Sequence, residues 1–293
     1  MSAPNLTVED VENHIPNIRN VEFLDNGGQK TVFTCEINDK PFVLKFIKIA
    51  DVIDDDDAVQ NDIVARAKRE IEIMDRCSSP YLVKLGPIRM TEIDINNIRL
   101  LYFSEQYIQG IALHKVIREE KLSLQQTIML AQNIALAIQS LWDIGMIHRD
   151  IKPKNVIKRD DGSFVLLDAG IAFDLNSESL TSFGPVGSRL YMSPEQITTP
   201  SRSLDFRSDL FLLGILMYEA LSQQHPFFQQ GMNVTQVMGS IVNITPKQLM
   251  EVVPGIPIQL NRLIMRLLAK QPHLRYRSIE SLYQELERLK EVI

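Results

Sequence analysis

The chain has 293 residues, 45% of them hydrophobic, so it is longer than one typical domain and carries enough apolar content for one or two packed cores. A formal net charge of -6 excludes non-specific attraction to nucleic acid or anionic membrane through a basic surface. Two cysteines, Cys35 and Cys77, form neither a C-x-x-C pair nor a secreted disulfide framework, which favours a reducing cytosol over a bridge between them.

Met1 to Glu12 is polar and acidic, without the cationic start and apolar run of a signal peptide, and residues 1–20 are expected to form an N-terminal extension. From Val21 to Leu101, short β-type segments at Val32–Ile37, Phe42–Ile49 and Ile98–Phe103 surround one strongly helical segment, roughly Ala58 to Arg76. The acidic run Asp51 and Asp54 to Asp57 reads as a solvated loop leading into that helix, with no function assigned. Near Gln106-Tyr107-Ile108-Gln109-Gly110 the pattern changes, a natural place for a hinge and a ligand cleft. Leu124, Ile128, Ala131, Ile134, Leu136, Ile138 and Leu141 then mark one long amphipathic helix. The most apolar run, Leu210 to Met217, is too short to span a bilayer and precedes Glu219, so it reads as a buried core helix in a soluble, cytoplasmic protein.

Several short motifs punctuate this pattern. They are Gly27-Gly28 between strands, Phe42-Val43-Leu44-Lys45, Glu70 ten residues before Pro80, and Ile147-His148-Arg149-Asp150-Ile151-Lys152-Pro153-Lys154-Asn155. Leu167-Asp168-Ala169-Gly170 follows, with Asp168 thirteen residues past Asn155, then Gly187-Ser188-Arg189-Leu190-Tyr191-Met192-Ser193-Pro194-Glu195, Ser208-Asp209 and Arg275. Singly, each has a plainer reading: a hairpin turn at Gly27-Gly28, surface helix charges at Glu70 and Glu72, an Asp-x-Gly turn at Asp168. Their shared order and spacing, from about Phe23 to Leu289, resembles the eukaryotic-type Ser/Thr protein kinases, and the stand-alone bacterial members more than the metazoan ones.

The resemblance implies an α+β, bilobal kinase fold: a small, mostly-β lobe with one regulatory helix over residues 21–105, a hinge at 106–110, and a larger, mostly-α lobe over 111–293. The implied reaction is transfer of the ATP γ-phosphoryl group to Ser or Thr hydroxyls of protein substrates, with Mg²⁺, or Mn²⁺ in its place. Asp150 would be the catalytic base and Lys152 the cation on the transferred group. Asn155 and Asp168 would hold the metal. Lys45, fixed by Glu70 rather than Glu72, would contact the α- and β-phosphates beneath Gly27 and Gly28, with Val32, Val43, Gln106, Ile108 and Ile157 completing the nucleotide site. Aligning Gly110 with the family's glycine makes Glu105 the gatekeeper; aligning Glu105 with the usual hinge acid shifts the hinge by one.

Glu195 would pair with Arg275, and Asp209 would be the helix-cap carboxylate that anchors the catalytic loop. Ser188 would bond Asp150 and Lys152. Arg149 beside Asp150 implies regulation by phosphorylation of the activation segment, with Ser177, Ser179, Thr181 and Ser182 as candidates. A regulatory protein or self-association would carry the signal, and neither nucleic acid nor membrane is expected as a partner. The sequence departs from the family at two points: only Gly27 keeps its glycine, with Asp25 and Lys30 in the first and third positions, and Ala169 replaces an aromatic ring. These departures motivate a binding-only pseudokinase as the alternative; a small-molecule phosphotransferase of related fold is more distant, because Lys152 and Ser193-Pro194-Glu195 resemble protein-kinase traits.

Overall fold

Alternation is strict along Lys30–Ile37, where Thr31, Phe33, Cys35 and Ile37 are buried and the residues between them half-buried. Such a period of two means a sheet covered on one face and partly covered on the other. The computed structural model describes residues 3–27, 30–51, 57–168, 173–174, 189–198 and 204–290. It divides into two units, Met1–Arg76 with Val83–Ile108, and Cys77–Leu82 with Gln109–Ile293.

The first unit contains α1 (Val8–His14), β1 (Arg19–Gly27), β2 (Lys30–Ile37), β3 (Lys40–Asp51), α2 (Asp57–Arg76), β4 (Thr91–Ile95) and β5 (Ile98–Gln106). The strands form one antiparallel sheet in the order β1-β2-β3-β5-β4. Strands β2, β3 and β5 run longer than the sequence pattern indicates, and β1, β4 and α1 are additional.

One face of this sheet presents Phe33, Cys35, Leu44, Phe46, Leu100 and Tyr102, which pack with Leu6, Val11 and Ile15 from the chain's first residues. Leu6, Val11 and Ile15, in the stretch expected as an extension, are therefore part of this unit's core. Each of these three buried side chains contributes about 2 kcal/mol by leaving water. Local bonds hold the segment: Thr7 and Asp10 form a reciprocal capping box on α1, Asp10 also accepts from Asn96, and Thr31 Oγ1 donates to the Pro4 carbonyl at 2.5 Å. Phe23, Phe33, Phe46 and Tyr102 form an aromatic ladder across β1, β2, β3 and β5, with centroid spacings of 5.8, 5.8 and 5.6 Å.

The second unit contains β6 (Ile111–Ala112), α3 (Leu113–Glu119), α4 (Leu124–Trp142), β7 (Met146–Ile147), β8 (Val156–Lys158), β9 (Phe164–Leu166), β10 (Phe173–Asp174), α5 (Pro194–Thr198), α6 (Phe206–Ser222), α7 (Val234–Asn243), α8 (Leu249–Val252), α9 (Ile258–Leu267) and α10 (Ile279–Lys290). The short stretch 77–82 belongs here by its bonding: Cys77 Sγ donates to the Ser140 carbonyl, and the Leu166 N–H donates to the Tyr81 carbonyl.

Helix α6 is buried almost all round, as the apolar run predicts, and α4 packs between α6 and α10. A Cβ at Gly214 would stand 2.8 Å from that of Leu267, so glycine sets the approach of α6 to α9. Gly110 has φ +149° and its Cβ would meet the Lys158 carbonyl at 2.2 Å, so only glycine fits where the chain enters the β6-β8-β9 sheet. Trp142 packs on Phe206, Ile147 and Leu204. Both cysteines are free and buried, and burial pushes the Cys35 thiol up to about 11. Among the described residues, no helix is long and apolar enough to cross a membrane. The mostly-β and mostly-α units agree with the expected α+β class.

Candidate active site

In the first unit the site grows from strand register. Val32 lies opposite Lys45 and Val43 opposite Glu105, so all four side chains share the sheet face opposite the aromatic ladder. Val32 and Val43 are half-buried, while Lys45 is 7% exposed. Glu70 arrives from α2 and its Oε1 accepts from Lys45 Nζ at 3.1 Å. Glu72 instead makes a surface pair with Arg76 one turn along.

Two further charges join that were not expected to. Lys45 Nζ also donates to Glu105 Oε1 at 2.7 Å, and Lys30 Nζ donates to both oxygens of Glu70 at 2.7 and 3.0 Å. Gly27 ends β1 opposite Lys30, whereas Gly28 lies outside the described residues. Gln106 ends β5 with its N–H donated to the Lys84 carbonyl, and Ile108 is buried.

In the second unit the loop after β7 is held by its backbone. Asp209, one turn into α6, accepts the N–H groups of His148 and Arg149, both at 2.8 Å. Its role as helix cap, expected from sequence, is corrected: the cap is Asp205, whose carboxylate accepts the Arg207 N–H. Asp209 is spared for the loop because Asp205 already satisfies the helix end. Burial pushes the Asp209 carboxyl pKa up, and the two amides and the nearby His148 and Arg149 oppose that rise.

Gln196 Nε2 donates to the Arg149 carbonyl at 3.0 Å, while its Oε1 accepts the Ser193 N–H in a capping arrangement on α5. Arg149, with φ +69°, is thus pinned on both sides of a left-handed conformation that a non-glycine residue adopts only when its surroundings dictate it. His148 Nδ1 accepts the Asp150 N–H at 3.3 Å, which places its proton on Nε2, within 3.1 Å of the Leu167 carbonyl.

Asp150 emerges with both carboxylate oxygens engaged. Lys152 Nζ donates to them at 2.8 and 2.7 Å, and Asn155 Nδ2 donates to Oδ2 at 2.8 Å and to the Asp150 carbonyl at 2.9 Å. That use of the amide nitrogen leaves the Asn155 side-chain oxygen as donor atom for a cation. Leu167 N–H donates to the Asn155 carbonyl at 2.7 Å, which ties Asp168, half-buried and at φ +58°, to the same loop. An amide oxygen beside a carboxylate fits a hard cation such as Mg²⁺. No group of three or more His, Cys, Asp or Glu able to hold a metal exists among the described residues. Ile157 lies on β8, half-buried, opposite Ala112 and Val165.

The Arg275 guanidinium is wholly buried and binds Glu195 at 2.5 and 2.9 Å, with further bonds to the carbonyls of Arg207, Ala269 and Lys270. Ser208 adds a bond to Glu195. This cluster fixes α5 to α6. Beside it, Tyr191 donates to Glu219 at 2.8 Å and stacks edge-on against His225, whose Nε2 lies 3.0 Å from the Leu190 carbonyl. Ala169, Ser177, Ser179, Thr181, Ser182 and Ser188 lie outside the described residues.

Sequence reading missed Glu105 and Lys30 as ion-pair members, Gln196 as an anchor and Asp205 as a cap. The Ser193-Pro194-Glu195-Gln196 spacing of a capping box was the one legible signal among them.

With this geometry, the chain belongs to the protein kinase domain family, whose model matches residues 18–286. It is 31% identical to a probable serine/threonine-protein kinase of Clostridium perfringens over 82% of this chain and 34% of that protein. It is also 31% identical to the serine/threonine-protein kinase PknE of Mycobacterium bovis, over 73% of this chain and 36% of that one. Identity is 28% to a probable serine/threonine-protein kinase of Streptomyces coelicolor, over 76% and 33%. The chain spans about a third of the length of these relatives.

Proposed function

We propose that the protein is a serine/threonine protein kinase that uses ATP with Mg²⁺ and acts on protein substrates. The observation that carries this reading is the bonded set Asp150, Lys152 and Asn155, a base, a cation and a metal-ligand amide on a loop whose backbone is held by Asp209. Preorganised charge of this kind is most of what phosphoryl transfer needs from a protein. The names of the relatives agree with it.

Bound ATP supplies the phosphoryl group, which bonds to the substrate oxygen as its bond to ADP breaks. Asp150 orients the Ser or Thr hydroxyl and takes its proton. Lys152 neutralises charge on the transferred group, Asn155 and Asp168 hold the metal, and Lys45, positioned by Glu70, binds the α- and β-phosphates. Autophosphorylation between Asp168 and Glu195 belongs to the same reading, supported by Arg149 directly before the base. Val32, Val43, Gln106, Ile108 and Ile157 complete the nucleotide site in it, within a lobe, hinge and lobe organised as 21–105, 106–110 and 111–293.

Wild type and Asp150→Asn are to be incubated with labelled ATP, Mg²⁺ and a generic protein, with phosphosites mapped by mass spectrometry. Transfer to Ser and Thr is expected to fall at least about a thousandfold in the variant while nucleotide binding persists. Equal labelling by the two proteins removes Asp150 as base, and nucleotide binding without transfer by wild type makes the protein a binding module. Transfer elsewhere but no phosphate between Asp168 and Glu195 removes autophosphorylation alone.

A further inference from the structure

The lysine that the proposed function assigns to the phosphates is not held by one glutamate. Lys45 Nζ lies 2.7 Å from Glu105 and 3.1 Å from Glu70, so two carboxylates share one ammonium, and the nearer one is on β5 rather than on α2. All three side chains are nearly buried, at 9%, 5% and 2% exposure for Lys45, Glu105 and Glu70. Lys30, 21% exposed, binds both oxygens of Glu70. Two lysines and two glutamates therefore alternate in a chain Lys30–Glu70–Lys45–Glu105.

An ammonium has three donors, and here at least two of them point at carboxylates. A phosphate that engages Lys45 must share it with Glu105 or displace Glu105 from it, and it approaches a second anion within a nearly dry environment where like charges repel strongly. Glu70 stands differently, because Lys30 donates to both its oxygens.

Resting on the kinase reading above, we propose that Glu105 is a positioning residue that competes with nucleotide phosphate for Lys45, and that Lys30 keeps Glu70 compensated during the exchange. Glu105 thereby lowers affinity for ligands that carry phosphate and leaves affinity for the nucleoside alone unaltered. Lys30, standing where the family has a glycine, supplies the positive charge that makes a second carboxylate tolerable beside Lys45.

The test is isothermal titration of wild type, Glu105→Gln and Lys30→Met with ADP and Mg²⁺, and separately with adenosine. Glu105→Gln is expected to bind ADP about tenfold more tightly, with adenosine affinity unchanged. Lys30→Met is expected to bind ADP more weakly, again with adenosine unchanged, and it carries the test if Glu105→Gln does not fold. Unchanged or weaker ADP binding by Glu105→Gln, unchanged ADP binding by Lys30→Met, or an equal shift for ADP and adenosine overturns the assignment, the last because it makes Glu105 a base-lining or packing group. Wild type that binds neither ligand overturns the kinase reading as well. Wild type that binds ADP and transfers phosphate while Glu105→Gln matches its ADP affinity overturns only the role of Glu105.

Discussion

Two clusters of charge in this protein are built on opposite principles. In the sheet unit, the Lys45 ammonium is held by side-chain pairs to Glu70 and Glu105 with Lys30 behind them. In the helical unit, Asp150 is positioned by a backbone, because Asp209 takes the amides of His148 and Arg149 and Gln196 takes the Arg149 carbonyl. Side-chain pairs between groups of opposite charge can exchange partners when a new anion arrives. Amides held by a buried carboxylate have no such alternative, so the backbone at His148 and Arg149 is the more tightly specified of the two clusters.

The largest expected effect breaks the backbone-held cluster. Asp209→Ala leaves two buried N–H groups without an acceptor, and a loss of about 4 kcal/mol in unfolding free energy is expected from urea denaturation followed by circular dichroism, with transfer abolished. Lys45→Met breaks the side-chain cluster by removing the pairs to Glu70 and Glu105, while Lys30 still bonds both oxygens of Glu70; about 3 kcal/mol is expected, at the low end for a broken buried pair. A loss larger than that of Asp209→Ala would reverse the ranking of the two clusters.

Acid sharpens the comparison with the smallest effect. Burial holds His225 neutral, its pKa lowered from 6.5 to about 4. The unfolded chain therefore binds a proton in that window that the folded one refuses, so stability falls as pH falls through it and is unaffected above it. The expected loss between pH 7 and pH 5.5 is about 1 kcal/mol. Comparing wild type with His225→Gln isolates the histidine from Glu219, whose carboxyl pKa is raised by burial and which acts in the opposite direction. Identical pH slopes for the two proteins would remove His225 from the account.

The backbone-held loop was largely legible in the sequence, because Asp150, Lys152 and Asn155 sit within six positions of one another at a spacing that resembles the family's. The Glu195–Arg275 pair, eighty residues apart, was named only through resemblance. Asp209 anchors the loop backbone as expected but is not the helix cap, because Asp205 and Asp209 both precede the same apolar run and only the backbone shows which one ends the helix. The side-chain cluster was half legible. Lys45 and Glu70 carry a family spacing, but Glu105 meets Lys45 only through the β3-β5 register, which no local pattern encodes. Helix α1 escaped notice because its apolar residues are sparse among acidic ones, although Thr7 and Asp10 carried the spacing of its cap.

Trp142, set against Phe206, Ile147 and Leu204, is the chain's single tryptophan. Its emission therefore reports the surroundings of the helical unit, while the sheet unit has only tyrosines such as Tyr102 to report through. Fluorescence excited at the red edge of the protein band therefore follows the packing of Trp142 on Phe206, Ile147 and Leu204, so the unlabelled protein carries its own optical probe of the helical unit.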